Sequence, residues 1–123
     1  MAKEALDVII IDDDPDICIM MESILNFTGY KVKYCFTPEK LWKLLEEARP
    51  RLLLIDMFLS GADGRDICKK IKNDNETSFI KIMMMSAHPD GEQTCKQAGA
   101  DDFLAKPFDI DIFTDKVKLI LKD

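Results

Sequence analysis

Two groups of carboxylates in this sequence could bind a metal ion together. Asp12, Asp13 and Asp14 directly follow one apolar run, and Asp56 follows a second apolar run at Leu52–Ile55. Neighbouring carboxylates repel each other and resist losing water, so they need either full solvation or a compensating charge. Oxygen ligands of this number best suit Mg²⁺, a hard divalent cation. The residue types therefore indicate a Mg²⁺ site, with a solvated acidic loop as the alternative.

Comparable positions later in the chain carry a hydroxyl and an amine. Ser86 follows the apolar run Ile80–Met85, and Lys106 follows the short run Asp102–Leu104. Placed opposite a bound cation, both groups could bind oxygens of a phosphoryl group. Ser86 could instead cap the helix that follows it, because serine is a favoured cap residue. Lys106 could be a surface residue that neutralises the acidic cluster.

Strands are predicted from apolar runs that alternate with helical patterns. They lie at Val8–Ile11, Val32–Phe36, Leu52–Ile55, Ile80–Met85 and Asp102–Leu104. The first, third and fourth are almost wholly apolar, which is typical of strands covered on both faces. A helical pattern follows each strand, and Asp14–Pro15 and Thr37–Pro38 predict the starts of the first two helices.

This order of elements predicts an α/β fold with five βα units and a doubly wound, parallel five-stranded sheet. Sites in open parallel sheets form at the carboxyl ends of the strands, which share one edge. The fold is therefore expected to gather the side chains that could do chemistry: Asp12, Asp13, Asp56, Ser86 and Lys106. Asp14 is expected to cap the helix that Pro15 begins.

The fourth predicted helix, at about 90–98, has little apolar surface. Cys95 and Ala98 could anchor it, and Gly99 is expected to end it. A helix with so few apolar contacts is a candidate for mobility or for contact with a partner.

Length, charge and cysteine content exclude several classes of protein. The chain of 123 residues suits one domain, and its net charge of −6 disfavours nucleic acid and anionic membranes as partners. The first residues lack the layout of a signal peptide, and no apolar run could span a bilayer. We therefore expect a cytoplasmic protein. Its four cysteines form no C-x-x-C pair, which indicates reduced thiols.

The sequence resembles the receiver domain of two-component response regulators, of the single-domain, CheY-like kind, over its whole length. The resemblance rests on motifs in the right order after the predicted strands: Asp12-Asp13, Asp56 with a later Asp63-Gly64, Ser86-Ala87 and Lys106-Pro107. It implies the flavodoxin-like strand order 2-1-3-4-5. It also implies a single receiver domain over residues 1–123, without an output domain.

The resemblance implies roles for the acidic residues. Asp56 would be the phosphoacceptor. Asp13, Asp56 and the backbone carbonyl of Phe58 would bind Mg²⁺ directly, whereas Asp12 would hold it mainly through water. The phosphoryl group would come from a phosphohistidine on a sensor histidine kinase or a phosphotransfer protein.

The resemblance also implies how the site would respond. Lys106 would pair with Asp56 at rest and with phosphoryl oxygens afterwards, and the Lys106–Pro107 peptide bond would be cis. Ser86 would hydrogen-bond a phosphoryl oxygen, and Phe103 would be the aromatic switch residue, although its spacing alone favours ordinary core packing. The chain would then be a signalling switch rather than a turnover enzyme. It would control an unknown partner through its fourth helix, fifth strand and fifth helix.

The loop after the acceptor departs from the family pattern. The family usually has Met-Pro three and four residues after the acceptor, where this chain has Leu59 and Ser60, followed by Gly61. In the family, the positions of Phe58 and His88 flank the path of the attacking water. We hypothesise that they tune the lifetime of the phosphorylated state. The alternative for His88 is an exposed residue at a helix start.

Two other functions remain open at this point. The Asp12–Asp14 stretch also resembles the D-x-D motif of phosphatases of the haloacid dehalogenase type, in which the first Asp is the nucleophile. That interpretation leaves Asp56 without a role, and the chain is short for that class. The third possibility is a module that binds a protein partner without phosphorylation, for which the altered acceptor loop is the argument.

Overall fold

The computed structural model describes residues 3–122. The strands are β1 (Glu4–Ile11), β2 (Val32–Cys35), β3 (Ala48–Asp56), β4 (Phe58–Leu59), β5 (Ala62–Asp63), β6 (Lys81–Ser86) and β7 (Asp102–Ala105). The helices are α1 (Pro15–Phe27), α2 (Pro38–Glu47), α3 (Gly64–Asn73), α4 (Gly91–Gln97) and α5 (Ile110–Leu121). In this part of the chain no helix is long and apolar enough to cross a membrane.

One parallel sheet contains five of the strands, in the order β2-β1-β3-β6-β7. Counted among the strands of that sheet, this is the order 2-1-3-4-5. The α/β class, the parallel sheet and the flavodoxin-like strand order predicted above are therefore confirmed.

Helices cover both faces of the sheet, so the core has two halves. One half contains buried residues of α2, α3 and α4: Leu41, Leu45, Ile67, Cys68, Ile71 and Cys95. The other contains buried residues of α1 and α5: Cys18, Met21, Leu25, Phe113, Val117 and Leu121. Strand residues alternate between the halves, because successive side chains of a strand point to opposite faces. In β6, Ile82 and Met84 lie in the first half and Met83 and Met85 in the second.

The cysteines belong to this core. All four are buried and form no disulfide, so they pack as small apolar side chains. Burial raises the pKa of Cys18 and of Cys35 to about 12, which keeps both as neutral thiols.

The predicted helix starts are confirmed. An oxygen of Asp14 accepts a hydrogen bond from the Asp16 N–H at 3.0 Å, and Pro15 is the first residue of α1. Thr37 Oγ1 accepts from the Lys40 N–H at 3.3 Å, just before α2. These side chains satisfy backbone donors that have no partner inside the helix.

The observed strands differ from the predicted ones in their bounds and in number. β2 ends one residue earlier than predicted, β3 and β7 each end one residue later, and β6 is shifted by one residue towards the C-terminus. β1 and β3 begin earlier than the apolar runs indicated, because their first residues still pair in register, from Glu4 with Ala48 onward. A short antiparallel hairpin, β4–β5, follows Asp56 and was not predicted. Strands of two residues have no periodicity that a sequence pattern can reveal.

Gly64, the first residue of α3, permits a close approach between the start of that helix and the end of β3. A Cβ atom on Gly64 would overlap with the backbone oxygen of Asp56. The Gly64 N–H also donates to the Met57 carbonyl at 2.7 Å. Only glycine can begin α3 this near the end of β3.

Replacing Gly64 by alanine should therefore lower the free energy of unfolding by about 3 kcal/mol. This value lies at the upper end of the usual cost of overpacking, because the added methyl group can be accommodated only if backbone atoms move. Gly29→Ala is the control. Gly29 has open space around it and a φ of 102°, so only backbone strain of about 1 kcal/mol is expected. Urea unfolding of both variants measures the difference. Equal losses would contradict the close approach at Gly64.

Candidate functional site

Three carboxylates meet at the carboxyl ends of β1 and β3. One oxygen each of Asp12, Asp13 and Asp56 lies within 4.8 Å of the others. Asp12 is 1% exposed and Asp56 is 8% exposed, whereas Asp13 lies at the surface. The predicted gathering of these residues is confirmed, and a fully solvated acidic loop is excluded because two of the three carboxylates are buried.

Lys106 supplies positive charge to the buried pair. Its Nζ lies 2.8 Å from an oxygen of Asp12 and 3.1 Å from an oxygen of Asp56. The resemblance implied the pair with Asp56 but not the shorter contact with Asp12. Burial lowers the pKa of Lys106, but the carboxylates outweigh it and the net shift is upward. The lysine is therefore held in its charged form. The Lys106–Pro107 bond is cis, the isomer that the resemblance implied.

The surroundings of Asp56 disfavour its charged form relative to its neutral form. Burial, and then the charge of Asp12, raise its pKa from 3.8 to about 6, although Lys106 opposes the shift. A group in this condition interacts favourably with any additional positive charge placed beside it.

Both oxygens of Asp12 already have partners. One accepts from Lys106 Nζ at 2.8 Å, and the other accepts from the Asp14 N–H at 2.9 Å.

Asp13 is held differently, by a residue that was not predicted from the sequence. Its Oδ2 accepts from the N–H of Ser60 at 3.0 Å and from the Ser60 hydroxyl at 2.7 Å. The signal available in the sequence was the Ser60–Gly61 turn.

Ser86 lies at the end of β6 and is buried. Its Oγ accepts a hydrogen bond from the His88 N–H at 2.9 Å, and its carbonyl accepts from the Lys106 N–H at 2.9 Å. Ser86 does not cap a helix, because α4 begins only at Gly91. The alternative of a helix cap at Ser86 was therefore wrong.

Phe103 packs in the core, as its spacing predicted. A Cβ on Gly91 would lie 3.1 Å from the end of the Phe103 ring and 3.0 Å from the Ser86 Cβ. The start of α4 is thus in direct contact with both residues.

An aromatic and cationic group borders the acidic residues. The exposed ring of Phe58 lies edge-on to His88, with their centroids 6.1 Å apart. Arg65 lies over the same ring, 5.7 Å from its centroid. Three hydrogen bonds, of 2.9, 3.2 and 2.6 Å, hold the guanidinium on Asp63. Phe58 and His88 were predicted from the sequence to lie near the acceptor, whereas no role was predicted for Arg65.

Comparison with known proteins agrees with this geometry. The family model of the response regulator receiver domain matches residues 8–118. The chain belongs to this family.

Relatives of two lengths match the receiver domain. It is 34% identical over 114 residues to sporulation initiation phosphotransferase F of Bacillus subtilis, covering 93% of this chain and 92% of that protein. It is 31% identical over 117 residues to the DNA-binding dual master transcriptional regulator RpaA of Synechocystis, covering 94% of this chain. The chain spans 48% of the length of RpaA, and about half of several other transcriptional regulators.

Solved structures share the fold. A two-component response regulator from Clostridium difficile superposes with a TM-score of 0.85 at 27% identity, covering 98% of this chain and 97% of that one. The receiver domain of NtrX from Brucella abortus gives a TM-score of 0.86 at 26% identity, covering 94% and 98%.

Asp56→Asn should stabilise the metal-free protein near neutral pH. With a pKa of about 6 in the folded state and 3.8 as the reference, the charged form costs up to about 3 kcal/mol of stability. The folded state binds the proton more tightly, so this cost is full above pH 6 and decreases as the pH falls towards 4. Denaturant unfolding with a chelator, at about pH 7.5 and about pH 4.5, measures the change.

The exposed Asp115 provides the control, because Asp115→Asn removes one charge without changing the site. An Asp56→Asn effect that is the same at both pH values, or that matches the control, would contradict the raised pKa of Asp56.

Proposed function

We propose that this receiver domain accepts a phosphoryl group on Asp56 and acts as a signalling switch. The observation that carries the proposal is the placement of Asp56, buried beside a second carboxylate and 3.1 Å from Lys106 Nζ. The donor would be a phosphohistidine of a sensor histidine kinase or a phosphotransfer protein. A relay to a second protein is supported by the relative of similar length, which is named as a phosphotransferase.

The donor set fits Mg²⁺, because it consists of oxygens close enough to share one ion. Asp13, Asp56 and the backbone carbonyl of Phe58 would hold the ion directly. Asp12 would act through water, since both of its oxygens are already bonded within the protein. When bound, the ion offsets the carboxylate charge and polarises the phosphoryl oxygens.

The residues of the chain account for the transfer itself. An oxygen of Asp56 forms a bond to phosphorus while the phosphorus–nitrogen bond of the donor histidine breaks, giving an acyl phosphate and a free histidine. Lys106 transfers its contact from the carboxylate to the phosphoryl oxygens and stabilises their charge. Ser86 donates its hydroxyl proton in a hydrogen bond to the same group. Water later hydrolyses the acyl phosphate, so the chain resets as a switch and is not a turnover enzyme.

Output would pass through α4, β7 and α5. Ser86 and Phe103 both contact Gly91 at the start of α4, so a shift of Ser86 towards the phosphoryl group changes the packing of that helix. α4 has only seven residues, and Asp90 before it makes no side-chain cap hydrogen bond. Such a weakly held element has the low local stability that a moving surface needs.

The structure gives a reason to prefer Asp56 over the first Asp as nucleophile. A phosphatase of the haloacid dehalogenase type would use Asp12, whose oxygens are occupied by Lys106 and a backbone N–H. Lys106 contacts Asp56 through one oxygen, Oδ1, at the longer distance of 3.1 Å. The raised pKa of Asp56 also favours its carboxylate as the nucleophile.

Intact mass after incubation with acetyl phosphate and Mg²⁺ tests the proposal. One added phosphoryl group is expected in the wild type, and none in Asp56→Asn or in the presence of a chelator. Beryllium fluoride binding, followed by fluorine NMR, detects the site if the adduct hydrolyses too fast to observe. An adduct retained in Asp56→Asn, or the absence of both adduct and beryllium fluoride binding in the wild type, would overturn the phosphoacceptor role of Asp56. In the latter case, a module that binds its partner without phosphate becomes the better explanation.

Phe58→Asn and His88→Ala should shorten the lifetime of the phosphorylated protein. Removing the contact between the two rings opens a path for water, and an aromatic pair worth about 0.5 to 1.5 kcal/mol corresponds to a rate increase of roughly two- to twelvefold. Decay of the phosphoryl adduct after donor removal measures it.

Phe79→Asn is the matched control. Phe79 is 50% exposed against 53% for Phe58, and it also lies under an arginine, Arg49, but just before β6, at the opposite end of that strand from Ser86. Decay rates for Phe58→Asn and His88→Ala that equal those of wild type and the control would reject the tuning role.

A further inference from the structure

Ser60 links two loops that are 47 residues apart in sequence. It lies at the tip of the β4–β5 hairpin, and both of its donors reach the same oxygen of Asp13, at 3.0 Å from the N–H and 2.7 Å from the hydroxyl. Both bonds end on Oδ2, so neither uses Oδ1. Two donors on one oxygen fix the rotation of a carboxylate more strictly than one can.

The hairpin gives Ser60 a defined position. Phe58 pairs with Asp63, and Leu59 pairs with Ala62. The Leu59 side chain is buried in the core half that contains α2, α3 and α4. Gly61 has a φ of 75°. In the four-residue turn from Leu59 to Ala62 it is the third residue, and a positive φ at that position alone is the pattern of a type II turn. The tip is therefore anchored on both sides and does not depend on Asp13 for its shape.

Asp13 needs such an anchor. It is the exposed member of the cluster, and the carboxylates of Asp12 and Asp56 within 4.8 Å repel it. Lys106 compensates for the other two carboxylates, whereas the bonds from Ser60 keep Asp13 near them. Without these bonds, repulsion favours rotation of the Asp13 side chain towards solvent.

We propose that Ser60 is a positioning residue for the divalent-cation site, holding Asp13 in the orientation in which it can share an ion with Asp56. The inference rests on the proposed function, since it takes the three carboxylates as a cation site. The interaction depends on a departure from the family pattern, because the proline that usually occupies this position has neither an N–H nor a hydroxyl. Partners that orient metal ligands typically contribute ten- to a hundredfold in affinity.

Mn²⁺ binding to the intact chain tests the inference, with free Mn²⁺ measured by electron paramagnetic resonance and Mg²⁺ used as competitor. Site-specific binding is defined as the fraction of bound Mn²⁺ that is lost in Asp13→Asn. Ser60→Ala removes the hydroxyl and should raise the Kd about tenfold. Ser60→Pro removes both donors at a turn position where proline is favoured, and it should raise the Kd further. Ser60→Thr keeps both donors and should bind as wild type does. Ser78→Ala, at another exposed serine, is the matched control.

A second measurement needs no metal. In the metal-free protein, hydrogen exchange of the Ser60 amide should become faster in Asp13→Ala, because the acceptor is lost. If Ser60→Pro does not fold, the contrast between Ser60→Ala and Ser60→Thr decides the test.

The outcomes separate this inference from the proposed function. Specific Mn²⁺ binding in the wild type with an unchanged or lower Kd in Ser60→Ala overturns the role of Ser60 and leaves the cation site intact. Absence of specific Mn²⁺ binding in the wild type overturns the cation site and this inference together.

Discussion

The burial of two like charges at adjacent strand ends is the constraint on which the site depends. Asp12 and Asp56 are almost fully removed from water, and this burial, together with the charge of Asp12, raises the pKa of Asp56 to about 6. The compensation comes from Lys106, 94 residues after Asp12 in the chain. One ammonium group between two carboxylates therefore joins the end of β7 to the ends of β1 and β3. Because one positive charge faces two negative charges, the pair keeps a net attraction for further cations.

The surrounding structure serves to hold that arrangement in place. Parallel strands bring their carboxyl ends to one edge, and this unites these distant residues without long loops. The absence of a side chain at Gly64 lets α3 start against the backbone of Asp56. The hairpin after β3 then places Ser60 on Asp13 and Phe58 beside His88. Backbone geometry thus positions the acidic residues, and side chains from two loops adjust their orientation.

Much of this could be predicted from the sequence, because strand ends in a parallel sheet are set by apolar runs. The meeting of Asp12, Asp13 and Asp56 needed only the order of the strands. The contact of Lys106 with Asp12 could not be predicted, since the choice among neighbouring carboxylates depends on differences of a few tenths of an ångström. The hairpin was missed because its strands have two residues each. The role of Ser60 was missed together with the hairpin, because its bonds to Asp13 are a tertiary contact that no local pattern indicates.

The run of methionines in β6 has a mechanical consequence. β1 and β3 line the centre of the sheet with isoleucine and leucine, whose branched side chains have few rotamers, whereas Met83, Met84 and Met85 are unbranched and fill both halves of the core. An unbranched thioether adapts to a change in the space around it at small cost. The strand that carries Ser86 is therefore more compliant than the strands that carry Asp12 and Asp56. The sheet combines a stiff support for the charges with a softer neighbour that can shift by small distances without opening a void.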